Sequence, residues 1–429
     1  MTAATGKADE TVVPSPAEQE EYHDLLKLFV ETFNIVERDY VESVSRRELM
    51  ESAIHGMISK LDQHSNYITS AELGEFRREF DKELGGIGVH VMIEDSQLTI
   101  ISPIVDSPAY KANLTAGDVI THVNGSPTKG LTLSKAVNLM KGKLGTTVEL
   151  TIRRPDKRAS ERVTVVRDSV RIRTVRGDRR QDDNSWDFMY DRELGIGYVR
   201  ITSFSRHTVR ELRAAMNALT EQSMQGLVLD LRANPGGLLS SAIEVCDMFI
   251  EDGVIVSTSG RNVENRQWQA HSAGTYTGFP IAVLVDRFSA SASEIVAACL
   301  QDHGRAVVVG QRTWGKGSVQ NVLSLDEGRS ALKLTTAEYH RPNGKSIDRK
   351  PDALNIDDWG VIPNDGFDLR LSDSDAARLE RQRQAKDLLR EKPVVEGELE
   401  DQQFTLALSF MVAELANHQN TRGATKAEP

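Results

Sequence analysis

The feature that most constrains the fold is an alternation of short apolar runs and helical stretches over residues 195–310. The apolar runs are GIGYVRI, GLVLDL, PIAVLV and AVVVG. Stretches with helical spacing of their apolar residues, such as TVRELRAAMNAL and SEIVAACLQ, lie between them. Strands that alternate with helices favour a largely parallel sheet covered by helices, so this region is predicted to form a layered α/β core.

Two regions with other sequence patterns precede residues 195–310. Residues 84–168 contain short alternating strands separated by Gly, Asp-Ser and Asn-Gly turns, with one helix at LSKAVNLMK, which predicts a compact, mostly β module. Residues 17–83 are predicted to be helical. Within them, one apolar helix face must be buried against the rest of the chain or a second subunit. That face contains Leu49, Ala53, Ile54, Met57, Ile58 and Leu61.

The 429 residues are too many for one ordinary core, and five segments are predicted. They are a disordered lead-in (1–16), an N-terminal helical region (17–83), the β module (84–168), the α/β core (169–372) and a C-terminal helical segment and tail (373–429).

Charge and apolar content limit the partners and the compartment. With 52 Lys and Arg against 63 Asp and Glu, the net charge is −11, and no sustained basic stripe occurs, so nucleic acid is not an expected partner. The longest apolar runs, such as 279–285, are far shorter than the roughly 18 residues of a membrane span. The N-terminus lacks the pattern of a signal peptide. Cys246 and Cys299 lie in helical apolar patterns and predict buried free thiols.

Three serines interleaved with alanines, in FSASASE, follow the run PIAVLV and begin a predicted helix. Ser291 and Glu294 fit the capping box Ser-x-x-Glu, which alone explains them as a helix start. A serine there can also be a nucleophile, because free amides and partial positive charge gather at a helix N-terminus. The amide of Ala292 can then stabilise an oxyanion, and Gly236 or Gly237 in LDLRANPGG can supply the other donor.

A serine nucleophile needs a base, and two residues are candidates. His303 follows the serines, but a turn histidine beside an aspartate is more often a solvated or capping group. Lys316 lies between glycines in TWGKGSVQ and shares a face with Gln320 if that segment is extended. Burial disfavours the ammonium form and supplies a neutral amine, which the Gln320 carbonyl can orient. Taken alone, Lys316 is better explained as a surface lysine in a glycine-rich turn than as a base.

The β module resembles PDZ domains. GGIGV at 85–89 is similar to the carboxylate-binding loop, and SPAYKANLTAGDVITHVNG and the helix LSKAVNLMK follow in the order of that family. The resemblance implies that an extended C-terminal peptide adds as a strand beside the sheet. Backbone amides of the loop would hold its carboxylate, and the glycines leave those amides unshielded. The loop residues are Gly85, Gly86, Ile87, Gly88 and Val89. A purely structural β-turn is the alternative.

Together, SASAS, GKGSVQ, NPGG and the PDZ-like module resemble the carboxyl-terminal processing peptidases, also called tail-specific proteases, over residues 20–365. LDQHSNYIT at 61–69 is similar to that family's signature between the helical region and the PDZ domain. Gln63 stands where proline is frequent, and the residues at 286–288 differ from the usual Asn-Gly-Gly. The resemblance implies an α+β, α/β multidomain protein. An N-terminal helical region and a PDZ module would precede a crotonase-like α/β serine protease core.

The same resemblance implies the site. Ser291 would be the nucleophile, Lys316 the general base and Gln320 an assisting residue. Amides of Ala292 and of Gly236 or Gly237 would form the oxyanion hole, and no metal or organic cofactor is implied.

The expected function is that of a serine endopeptidase that recognises the free C-termini of protein or peptide substrates through its PDZ domain. A homo-oligomer formed through the N-terminal helices and a regulatory adaptor are further candidate partners. A periplasmic or other extracytoplasmic location is expected, with a leader absent from this sequence, and the cytoplasm is the alternative. The rival functions are a catalytically inactive PDZ scaffold and, with less support, an acyl-CoA enzyme.

Overall fold

The computed structural model describes residues 15–74, 84–157, 159–350, 352–354, 356–389 and 399–424. The chain divides into two compact units. The first contains Met1–Gly74 and Gln320–Thr335, and the second contains Glu75–Val319 and Thr336–Pro429. The predicted disordered lead-in lies outside the described residues, except for residues 15–16, where the first helix begins.

Two helices, Pro16–Asp39 and Arg46–Ile58, begin the described part of the first unit. The hydroxyl of Ser45 caps the second helix by accepting a hydrogen bond from the Glu48 amide (3.5 Å). On the predicted apolar face, Ile58 is buried, but Met57 and Leu61 are 63% and 61% exposed. The helical prediction is confirmed for these two helices, whereas Leu61 follows the second helix, residues 66–68 form a strand, and residues 75–83 lie outside the described residues.

The segment LDQHSNYIT forms a turn and a strand of the same unit. Asn66–Ile68 pairs antiparallel with residues 331–333. In the turn, the Asp62 carboxylate accepts hydrogen bonds from the amide and the hydroxyl of Ser65, both at 2.8 Å. The Ser65 oxygen in turn accepts a hydrogen bond from the Thr335 amide (3.0 Å). These bonds fix residues 62–68 to a strand that lies far away in the sequence.

A β module with its own apolar core begins the described part of the second unit. Leu150 and Ile152 are fully buried on one face of a strand, and Leu98 and Ile120 lie in the same cluster. The predicted helix LSKAVNLMK spans Leu133–Met140, and a short helix spans Pro108–Lys111. The strands are Leu84–Gly85, Val89–Glu94, Gln97–Pro103, Val119–Val123, Ser126–Pro127, Gly142–Lys143, Thr147–Arg153 and Ser160–Val166.

A largely parallel sheet lies at the centre of the α/β core, as predicted. Its strands run in the order Val175–Arg176, Ile196–Ile201, Gly226–Asp230, Ile281–Val285 and Val307–Gly310. The last four strands are mutually parallel, and the first is antiparallel to its neighbour. Met189–Asp191 also pairs with Ile196–Ile201.

Helices cover both faces of this sheet. Ile281 and Val283 pack in the cluster of the first face, whereas Leu284 packs with Ala407 and Met411 on the other. This double burial explains why the strands are continuously apolar in the sequence. The helices on the first face are Thr208–Glu221, Leu239–Asp247 and Ala292–Asp302, and Gln402–Ala424 covers the second face.

The remaining elements complete the chain. They are the strands Arg179–Arg180, Trp186–Asp187, Val254–Gly260, Val263–Gln269, Ser318–Leu325 and Ser330–His340, the 3-10 turn Asp326–Gly328 and the helix Asp373–Asp387. Cys246 and Cys299 are buried and free, as predicted. Within the described ranges, no helix combines the length and the apolar character needed to cross a bilayer.

Candidate active site

The serine loop (residues 286–291) and the Asn-Pro-Gly-Gly turn meet because the strands before them are neighbours. Gly226–Asp230 and Ile281–Val285 are parallel, so their carboxyl ends lie at one edge of the sheet. The Asn234 carbonyl accepts hydrogen bonds from the Ala290 amide (3.0 Å) and the Ser293 hydroxyl (2.9 Å). The turn is therefore bonded to the chain on both sides of Ser291.

Ser291 lies on a sharp strand-to-helix turn. It is the N-cap of the helix Ala292–Asp302, with φ 57° and ψ −115°, a conformation that residues other than glycine rarely adopt. Such backbone strain costs on the order of 1–3 kcal/mol and is common at functional sites. The Ser291 amide donates to the Glu294 carboxylate (2.8 Å), so this half of the predicted capping box forms. The capping box uses the Ser291 hydroxyl oxygen only as an acceptor, so the hydroxyl proton stays available for transfer.

The two flanking serines have structural roles. The Ser289 hydroxyl donates to the Leu231 carbonyl (2.8 Å) and accepts from the Asp286 amide (2.9 Å). The Ser293 hydroxyl is occupied by the turn, and both side chains are fully buried. Of the three serines, only Ser291 is partly exposed.

The amides beside Ser291 differ in their hydrogen bonding. Gly236 donates its amide to the side chain of Asn234 (2.9 Å). The amides of Gly237 and Ala292 have no acceptor in the described part of the chain. Gly236 instead permits close packing, because a Cβ there would lie 2.8 Å from the Ser291 Cβ and 3.0 Å from the Ala292 nitrogen. Two unoccupied donors, Gly237 and Ala292, therefore flank the nucleophile candidate.

Lys316 lies in the lysine loop (residues 311–317), which reaches the same place. Its amide donates to Glu294 Oε2 at 2.8 Å, and the Ser291 amide donates to the same oxygen at 2.8 Å. The amide nitrogens of Ser291 and Lys316 are therefore no more than twice 2.8 Å apart. The structure brings together the two residues that the sequence pairs.

Glu294 makes more contacts than its sequence pattern predicts, since Ser-x-x-Glu indicates only helix capping. Its Oε1 accepts the Thr313 hydroxyl and the Gly315 amide, both at 2.6 Å, and the side chain is fully buried. Burial raises the pKa of Glu294 to about 6, and the hydrogen bonds from Thr313 and Gly315 oppose that rise. Nothing in the local pattern indicates these contacts.

A buried ion-pair cluster supports the turn from behind. Arg232 pairs with Asp230 (2.7 Å) and Asp401 (2.8 Å), which joins the end of a central strand to the start of the C-terminal helix. Burial raises the pKa of Asp230, but the charges of Arg232 and Arg383 outweigh it and hold that pKa below its ordinary value. These ion pairs hold the segment LDLR in place, and the glycine turn follows that segment directly.

The predicted assisting residue Gln320 and the rival base His303 each have contacts of their own. Gln320 belongs to the first unit, where its side-chain amide donates to the Thr335 hydroxyl (3.4 Å). Its strand begins at Ser318, so strand alternation does not include Lys316, and the role of Gln320 stays a prediction. His303 ends the 11-residue helix that Ser291 begins, which places it roughly 16 Å from Ser291. Its Nε2 lies 2.7 Å from the Val254 carbonyl oxygen.

The predicted carboxylate-binding loop at 85–89 connects two strands of the β module. The Gly86 amide donates to the Asp168 carbonyl (3.0 Å). The amides of Ile87 and Gly88 have no acceptor among the residues that the structure describes. These two amides are the available donors, and peptide binding by the loop stays a prediction.

In the described ranges, no group of three or more His, Cys, Asp or Glu side chains is placed to hold an ion.

Three family models match successive parts of the chain. Residues 195–364 match peptidase family S41, residues 85–165 match the PDZ domain, and residues 2–71 match the N-terminal domain of the activating protease CtpB.

The chain is also similar over most of its length to named proteases. It is 39% identical to the carboxy-terminal-processing protease of Bartonella bacilliformis over 77% of this chain and 74% of that protein. It is 33% identical to the carboxy-terminal processing protease CtpB of Bacillus subtilis, over 80% and 70% of the two chains. A solved photosystem II D1 C-terminal processing protease is 27% identical, over 81% of this chain and 92% of that one, with a TM-score of 0.44.

The serine and lysine loops and the glycine turn lie within residues 195–364, and the carboxylate-binding loop candidate lies at the start of residues 85–165. The chain belongs to the carboxy-terminal processing proteases, PDZ-containing serine proteases of peptidase family S41.

Proposed function

We propose that this serine endopeptidase uses Ser291 as its nucleophile and Lys316 as its general base. One observation carries the proposal: of the three serines Ser291 alone is partly exposed, and it lies on a strained turn beside the amides of Gly237 and Ala292, which have no acceptor in the described chain. A nucleophile needs an available hydroxyl, a base within reach and donors for the developing negative charge. The proximity of the Lys316 backbone supports the second requirement.

In the proposed mechanism, neutral Lys316 takes the hydroxyl proton as Ser291 attacks the peptide carbonyl. The carbonyl oxygen becomes negative and accepts hydrogen bonds from Gly237 and Ala292. Lys316 then gives the proton to the leaving amine, and water hydrolyses the acyl-enzyme. Gln320 orients the lysine amine.

The proposed substrates are proteins or peptides with a free C-terminus. The loop at 85–89 would hold the terminal carboxylate through the amides of Ile87 and Gly88, since these amides have no acceptor in the described chain. Replacing the apolar C-terminal residue of a substrate with aspartate should slow cleavage. Deleting residues 84–168 should remove that dependence, and equal sensitivity in both proteins would exclude this recognition.

A second copy of the chain is the proposed partner of the N-terminal helices. Helix Pro16–Asp39 exposes many large apolar side chains, and contiguous apolar surface marks interaction sites. The exposed residues are Tyr22, Leu25, Leu26, Leu28, Phe29, Val30, Ile35 and Val36. Light scattering should show an oligomer that Leu25→Glu and Leu28→Glu together dissociate.

A regulatory adaptor and an extracytoplasmic location are also proposed. A pull-down tests the adaptor, and cell fractionation tests the location.

Cleavage of an unfolded protein, followed by mass spectrometry of the products, tests the catalytic proposal. The wild type should release peptides, whereas Ser291→Ala and Lys316→Ala should release none, because nucleophile and base act as a unit. Cleavage by either variant at the wild-type rate would refute the assignment. A wild type that binds C-terminal peptides but never cleaves would instead be the inactive scaffold.

A further inference from the structure

The Glu294 carboxylate lies where the serine loop and the lysine loop meet. Each of its oxygens accepts two hydrogen bonds, one pair from Thr313 and Gly315 and the other from Ser291 and Lys316. An ionised carboxylate is acceptor-only and has about four lone-pair sites. The four donors therefore match the full acceptor capacity of the ionised group.

Helix capping does not account for this arrangement. A capping glutamate needs only the amide of the N-cap residue, here Ser291. The other three donors come from the lysine loop. Glu294 is fully buried, so keeping its charge costs free energy that an exposed helix start would avoid. The carboxylate thus has a second task, which is to join the two loops.

We propose that Glu294 is a positioning residue, whose ionised carboxylate fixes the backbone of Lys316 against that of Ser291 and so sets the reach of the base. The inference rests on the proposed function, because it requires Ser291 and Lys316 to react together. Glutamine cannot replace glutamate here, since its NH₂ group would face two donors. A displacement of about 1 Å in an active site can cost on the order of 10² in rate.

Thr313 offers an independent way to weaken the same link. Its buried hydroxyl donates to Glu294 and accepts from the Val361 amide (2.7 Å). Thr313→Val removes the hydroxyl at nearly constant volume, whereas Thr313→Ser keeps it. Both variants leave the carboxylate in place, and Thr313→Val removes one of its donors together with the acceptor of the Val361 amide.

Steady-state cleavage of one fluorogenic peptide by the full chain tests the role. We expect Glu294→Gln to lower kcat on the order of 10²-fold, with KM within threefold of wild type. Thr313→Val should lower kcat by about tenfold, and Thr313→Ser should restore it. The matched control is Asp302→Asn, at the far end of the same helix, where Asp302 pairs with Arg341 (2.6 Å). It should leave kcat within threefold of wild type.

Labelling of Ser291 by diisopropyl fluorophosphate separates two kinds of failure. A wild type that is active but never labelled at Ser291 refutes the proposed function itself. If Ser291 is labelled, a Glu294→Gln kcat within threefold of wild type refutes the positioning role. If Glu294→Gln shows no cooperative melting transition, the threonine pair decides, and equal kcat values for Thr313→Val and Thr313→Ser would overturn the proposal.

Discussion

Alanine substitution of the neighbouring serines should separate catalysis from stability. Ser289→Ala removes the acceptor of the half-buried Asp286 amide, which has no other acceptor in the described chain. The Leu231 carbonyl keeps a longer bond, from the Asn234 amide at 3.3 Å. One unsatisfied buried donor costs about 1–3 kcal/mol. At about 2–4 °C per kcal/mol, Tm should fall by about 4–8 °C for a central value of 2 kcal/mol.

Ser291→Ala should instead abolish cleavage and have a smaller effect on stability. The partly exposed Ser291 side chain accepts at most one cap hydrogen bond, so the free energy of unfolding should fall by about 1 kcal/mol or less. Removing a nucleophile from a catalytic unit costs on the order of 10⁶ in kcat, which is a complete loss in most assays. Ser289→Ala should keep cleavage activity at 25 °C, because the Asp286 carboxylate still holds the loop through the amides of Ala233 (3.0 Å) and Phe288 (2.9 Å).

The assay is thermal unfolding monitored by circular dichroism, together with peptide cleavage at 25 °C for both variants. Ser293→Ala is the control, and it should lose about 1 kcal/mol and remain active, since the Asn234 carbonyl keeps the Ala290 amide (3.0 Å). An inactive but folded Ser289→Ala beside an active Ser291→Ala would refute the reasoning.

Three further predictions concern the surroundings of the nucleophile. Gly236→Ala places a Cβ 2.7 Å from the Ala290 carbonyl oxygen at φ +97°, so kcat should fall on the order of 10²-fold, as steady-state kinetics would show. Glu294 holds its proton more tightly in the native state, with a pKa of about 6 against an ordinary 4.5, so its contribution to stability is full below pH 4.5 and is lost as the pH rises through 6. Urea unfolding should therefore show Glu294→Gln gaining about 2 kcal/mol relative to wild type between pH 4 and pH 7.5, and no change would contradict the buried charge. Gln320→Glu should shift the profile of kcat/KM against pH to alkaline values, because a nearby carboxylate raises the pKa of the Lys316 amine, and an unshifted profile would remove Gln320 from the site.

Local sequence patterns were sufficient to predict the central sheet and the placement of the serine loop and the glycine turn at its edge. Apolar runs such as PIAVLV predict buried strands, and parallel neighbours bring their carboxyl ends together. The serine loop and the glycine turn are therefore adjacent for a reason visible in the sequence. The pairing of Ser291 with Lys316 required the family resemblance, because a glycine-flanked lysine is ambiguous by itself.

Contacts made by single side chains over long separations were not predictable. Glu294 reaches 19–22 residues along the chain to Thr313, Gly315 and Lys316 without any periodic signal. The Ser65 oxygen accepts from the Thr335 amide, 270 residues away. Which candidate oxyanion amide stays available, that of Gly236 or that of Gly237, likewise depends on which one donates to the Asn234 side chain.

Covalent labelling tests the proposed dyad most directly. Diisopropyl fluorophosphate reacts with an activated serine, and mass spectrometry of the digested protein locates the adduct. We expect one adduct, on Ser291, formed faster as the pH rises because the base must be neutral, and no adduct in Lys316→Ala at neutral pH. An adduct on Ser289 or Ser293, or labelling of Ser291 at the wild-type rate in Lys316→Ala, would contradict the account.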